Sequence, residues 1–208
     1  MFKPDNQFAE FGERKKYNVN YFMEHIAYLQ EGWVHLNKIS AEAKARAQAL
    51  ELGLHSEKPK EENHEADPFG RNRRFKWGPR CEASCMDAFC ILSSFDSSVG
   101  DSRRYGHADF KRLGVGVKSA QFGSCPMVFQ EPDHPEIIMS YTDLGDLYIC
   151  GLATVDIQRK YSSLDGLNDI NPALKPYKPK LAFYGYDQLI PLHDYMTIPK
   201  LKGLLEEL

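Results

Sequence analysis

Apolar side chains recur at intervals of three and four along residues 19–54. Val19, Phe22, Ile26, Leu29, Trp33 and Leu36 share one stripe, and the register continues through Ser40, Ala43, Ala47, Leu50 and Leu54. That period lines one face of a helix. The alanine-rich stretch 41–52 has high helix propensity, and Gly53 offers a stop. Two forms stay open: one long helix over 19–54, or a helical hairpin broken near 37–40 with Ser40 as the N-cap of its second arm. In either form Phe22, Ile26, Leu29, Trp33 and Leu36 need cover, either from the chain's own domain or from another chain, and in the second case they are the candidate partner interface.

Further along, the period shortens towards two. Residues 89–95, 113–118, 127–130, 136–142, 147–157 and 182–189 read as strands, and Asp143-Leu144-Gly145-Asp146 reads as the turn of a hairpin. From 147 to 157 every odd position is apolar or glycine. The even positions Tyr148, Cys150, Leu152 and Thr154 are hardly more polar, so this strand should be central or covered on both sides. Residues 162–180 carry Pro172, Pro176 and Pro179 and read as an extended arm. Thr197 and Pro199 open a final helix whose apolar face is Leu201, Leu204, Leu205 and Leu208. The expected class is α+β: an N-terminal long helix or helical hairpin, an antiparallel β-barrel or sandwich-like domain, and a short C-terminal helix. The expected division is a helical element (1–54), an acidic polar linker (55–68), a β-rich core domain (69–161), and an arm with the last strand and helix (162–208).

Composition narrows the class. The 208 residues carry 26 Lys and Arg against 29 Asp and Glu, for a net charge of −3. The 42% hydrophobic share is enough to fold a core. No apolar run reaches the length a bilayer requires, and the charged N-terminus lacks the apolar core of a signal peptide. Five cysteines without paired spacing fit a reducing compartment, so the expected location is cytoplasmic. The charge is unevenly spread, with a balance of −3 over residues 1–68, +5 over 69–125 and −5 over 126–208. A cationic middle suits either phosphates or acidic neighbours, the chain's own flanks included.

The densest part of that middle is the candidate nucleic-acid surface. Arg71, Arg73, Arg74, Lys76 and Arg80 are five cations in ten residues, interleaved with Phe75 and Trp77. Arg103, Arg104, Lys111 and Arg112 follow. Cations neutralise phosphates and aromatic faces stack on unpaired bases, although the same mixture also serves protein interfaces or an entry strand.

Cys81, Cys85 and Cys90 are weak zinc candidates, because a first knuckle is present and no second one follows. Gly114-Val-Gly116-Val-Lys118 fails the phosphate-loop pattern, since Val117 stands where glycine must precede the lysine. His107-Ala-Asp109 reads as a polar loop. No catalytic residue and no cofactor is assigned, and the chain reads as leaning away from an enzyme. The expected function is a non-enzymatic nucleic-acid-binding module, with single strands as one candidate ligand. The alternative is a structural assembly subunit of a virion or multiprotein machine, with the helix and arm contacting other subunits or further copies of this chain.

Overall fold

The computed structural model describes residues 32–36, 39–56, 68–95, 107–122, 125–142, 144–163 and 180–208. Residues 19–31 of the first stripe, with Phe22, Ile26 and Leu29, lie outside that set, as do Arg103, Arg104 and most of the proline-rich arm.

The long helix over 19–54 does not form. Strand β1 (Val34–His35) lies antiparallel to β5 (Leu147–Ala153), with Val34 opposite Ile149 and the Leu36 N–H donating to the Leu147 carbonyl at 2.8 Å. Pairing with a buried strand satisfies these backbone groups in place of a helical turn. Helix α1 (Ala41–Ser56) begins where the second form places it: the Ala43 N–H donates to Ser40 Oγ at 3.0 Å, a side-chain N-cap. Ala43, Ala47 and Leu50 are buried, so the second half of the stripe does face a core.

Helix α2 (Pro68–Ala88) takes up the whole basic-aromatic segment, which is therefore a helix and no entry strand. Trp77, Cys81, Cys85 and Phe89 follow one another at intervals of four and are all buried. Cys90 adopts the left-handed region at φ 59° just past the helix end. A 3₁₀ turn follows at Leu92–Ser94, where 89–95 was expected to be a strand.

The main sheet has the order β1-β5-β4-β2, with β2 at Gly116–Gln121 and β4 at Glu136–Tyr141. β4 and β5 form the expected antiparallel hairpin, whereas β2 runs parallel to β4. The parallel pair arises because the chain leaves β2, passes through β3 (Met127–Phe129) in another sheet, and returns in its original direction. β3 pairs with β7 (Lys180–Phe183), and β7 with β6 (Ser162–Ser163). Among the described residues these are two separate sheets, not a closed barrel, and the antiparallel expectation holds only in part.

Helices α1, α2 and α4 (Ile198–Glu207) cover one face of the main sheet, in a core that includes Leu50, Trp77, Met86, Ile137, Met139, Leu147, Ile149 and Leu201. On the other face Ile138 and Cys150 pack with Val128, Phe183 and Tyr186. All six residues of β4 are buried, as a strand between two cores must be.

The alternation expected over 147–157 breaks at Cys150. Ile138 faces Gly151 and Met139 faces Ile149, which leaves Cys150 bulged. A bulge reverses the side-chain phase, so Leu147 and Ile149 join the helix-side core, and after it the even-numbered Leu152 does so. Gly151, at φ 148°, lies against the Leu189–Ile190 segment, where a Cβ would stand 2.7 Å from the Ile190 carbonyl oxygen. β5 then stops, and Thr154 caps helix α3 (Val155–Lys160) through its side chain. Of the expected strand 182–189, only the start is extended, and Tyr186–Gln188 is a 3₁₀ turn.

Candidate functional site

The nucleic-acid candidates are placed in three ways. Arg71, Arg73, Arg74, Phe75 and Lys76 lie in the first half of α2, where the structure describes the backbone but not the side chains. Trp77 is in the core: 6% exposed and stacked on Tyr141 of β4, with ring centroids 5.0 Å apart and planes 12° apart. The Arg80 guanidinium lies 5.3 Å from the same ring. A ring so covered has no open face for a base, and its role is to lock α2 to the sheet. Lys111 and Arg112 are exposed on a tight turn closed by the Phe110–Val115 bridge, and this turn leads directly into β2.

The partner-interface candidates that are described face inwards. Trp33 is half-buried among Phe122, Tyr148 and Tyr186, at centroid distances of 6.2, 6.0 and 5.9 Å. Leu36 packs on the helix-side core. Cys81 and Cys85 are fully buried in α2, and Cys90 is exposed. Burial pushes the Cys81 thiol up to about 12, partly countered by a hydrogen bond with Ser119. Among the described residues no group of three or more His, Cys, Asp or Glu is placed to hold a metal ion.

A charged cluster where β4 begins was not singled out by the sequence reading. Glu136 is the first residue of β4, and only 2% of its side chain is exposed. Lys118 of β2 brings its Nζ to 3.0 Å from Glu136 Oε1, and His134 brings Nε2 to 3.3 Å from the same oxygen. On the imidazole's other side, Nδ1 lies 2.5 Å from Asp133 Oδ1.

Each position follows from local structure. The parallel register sets Gly116 opposite Glu136, and the Gly116 N–H donates to the Pro135 carbonyl at 2.9 Å. Lys118 is two residues further along β2 and so on the same face as Gly116. The loop bearing His134 is held by the buried amide of Gln158 in α3, which donates to the carbonyls of His134 (2.9 Å) and Ala153 (3.2 Å). Asp109 anchors the start of β2 by accepting the Val117 N–H at 2.6 Å.

The electrostatics are mutually supporting. Burial alone would raise the Glu136 pKa, but the Lys118 charge and the hydrogen bonds from His134 and Lys118 outweigh it and hold the carboxyl below its ordinary value. His134 is held above its ordinary value, chiefly by its hydrogen bond to Glu136, against the opposing effect of burial. The only sequence signal for the cluster was Gly116 in a strand: glycine there marks a close approach, and the approaching group is the Glu136 carboxylate.

No protein-family model, curated protein or solved structure matches the chain.

Proposed function

We propose that the protein is a nucleic-acid-binding module whose contact surface is built from the cations of the 69–125 segment. The observation that carries this reading is the exposure of Lys111 and Arg112 on the turn entering β2, within a stretch whose charge balance is +5. The same stretch includes α2, which holds Arg71, Arg73, Arg74 and Lys76, and the stack of Trp77 on Tyr141 fixes that helix to the sheet. Cations on a rigid support engage a phosphate backbone without the entropy loss of ordering a loose segment. Trp77 has no part in this surface.

The test is fluorescence anisotropy with labelled single- and double-stranded oligonucleotides, comparing the wild type with Arg73→Ala/Arg74→Ala and with Lys111→Ala/Arg112→Ala. Salt-sensitive binding that both pairs weaken is the expected result. Absence of binding at low salt, together with a molecular size that grows with concentration, would replace this reading with the assembly-subunit one.

A further inference from the structure

At one edge of the main sheet an imidazole is held in place with one face open. His35 of β1 pairs with Tyr148 of β5, so the two side chains share a sheet face, the one opposite the helices. Their rings stack at a centroid distance of 4.6 Å with planes 17° apart. His35 Nε2 also lies 3.4 Å from Asp146 Oδ1, and the two contacts together fix the position and rotation of the ring. Its other face meets no ring or charged group among the described residues, and 41% of the side chain is exposed. Both supports are themselves anchored. Tyr148 packs on the second core and lies 6.0 Å from Trp33. The Asp146 carboxylate accepts from Thr142 Oγ1 at 2.9 Å, and the Asp146 N–H donates to the same hydroxyl at 3.1 Å. An exposed side chain ordinarily loses rotamer freedom on binding, and this one has already lost it.

The same end of the sheet carries the basic half of α2. Trp77 stacks on Tyr141, the last residue of β4, and a Cβ built on Gly145 would stand 3.9 Å from its ring, one residue before Asp146. One turn later in the helix, Cys81 meets Ser119, whose partner in β4 is Met139. From Trp77 onwards α2 thus runs back along the sheet, and the residues before Trp77 run out beside the 142–146 turn. Arg71, Arg73, Arg74 and Lys76 all fall in that part, within about 9 Å of Trp77 along the helix axis at about 1.5 Å per residue.

We propose that the open face of His35 is a stacking platform for one base of a single-stranded nucleic acid whose phosphates meet the basic half of α2. An unpaired base can lay its face on a fixed aromatic ring, whereas a base inside a duplex is already covered on both sides by its neighbours. The platform therefore selects single strands over duplex. Stacking adds affinity without neutralising charge, so it is separable from the contribution of the cations. This inference rests on the nucleic-acid reading above and names the ligand class for it.

The test is fluorescence anisotropy on the full chain with a labelled single-stranded oligonucleotide and with its duplex, comparing the wild type, His35→Ala and His35→Phe over a salt series. Removing the ring should weaken single-strand binding about fivefold or more, with the salt slope and the duplex affinity unchanged. Phenylalanine stacks without charge or hydrogen bonds, so His35→Phe should restore most of the loss. If the wild type binds with salt dependence and His35→Ala binds single strands equally well, or loses as much affinity for the duplex, the platform is overturned and the cationic surface stands. If the wild type binds no oligonucleotide at low salt, both readings fall.

Discussion

Glu136 keeps its charge with almost no solvent because Lys118 and His134 share one of its oxygens. Removing one partner of a buried pair exposes the other's desolvation cost. Lys118→Met should therefore destabilise the protein by about 3 kcal/mol, the low end for such pairs because Lys118 retains some solvent contact. Urea unfolding would measure it, and a loss within error of zero would show that the pair contributes nothing.

The same residues set a pH window for stability. The Glu136 carboxyl is lowered from 4.5, so its contribution is fully present above that value and is lost as pH falls through the lower folded value. The His134 pKa is raised from 6.5, so its contribution is present below that value and is lost as pH rises through the higher folded value. Stability should fall on both sides, and in His134→Gln the alkaline loss should disappear while most of the acid loss remains. Unfolding curves across pH check both limbs.

At the scale of elements, local signals were legible where a single residue determines the outcome. Ser40 was readable as a cap because its oxygen meets the Ala43 N–H, and Ser40→Ala should cost about 1 kcal/mol by thermal or urea unfolding. The β4–β5 hairpin was readable from its turn, where Thr142 Oγ1 donates to Asp146 Oδ2 at 2.9 Å. Signals failed where a partner distant in sequence decides. The stripe over 19–36 has helical spacing, yet at Val34 and His35 the free edge of β5 offers backbone partners that periodicity does not reveal. α2 was not legible because Gly70, Gly78 and Pro79 are poor helix formers and the segment also suited an entry strand; its intervals of four from Trp77 to Phe89 were the signal to follow. The bulge at Cys150 reverses phase within one strand, and no alternation pattern marks it in advance. Gly151 shows how tightly the bulge is held. Gly151→Ala would set a Cβ against the Ile190 carbonyl oxygen at an unfavourable φ, so a marked loss of stability in urea is expected, whereas no loss would mean that the 189–190 segment yields freely.

For the whole molecule, the α+β class was legible and the sheet arrangement was not. Helix and strand propensities are local, whereas the parallel β2–β4 pair depends on the intervening chain crossing into the second sheet through β3. The charged cluster was hidden for the same reason, since Lys118 and Glu136 become neighbours only through that pairing. The cationic middle was visible directly, because charge is read without knowing the fold, and the functional proposal rests on it.

The most direct measurement for that proposal is the salt dependence of oligonucleotide affinity. Phosphate neutralisation gives a linear fall of log affinity with log salt, with a slope of about 0.7 per phosphate engaged on single strands and about 0.9 on duplex DNA. The account predicts a steep slope for the wild type that becomes shallower by roughly one to two such increments in Lys111→Ala/Arg112→Ala. A slope near zero, or one that this substitution leaves unchanged, would contradict it.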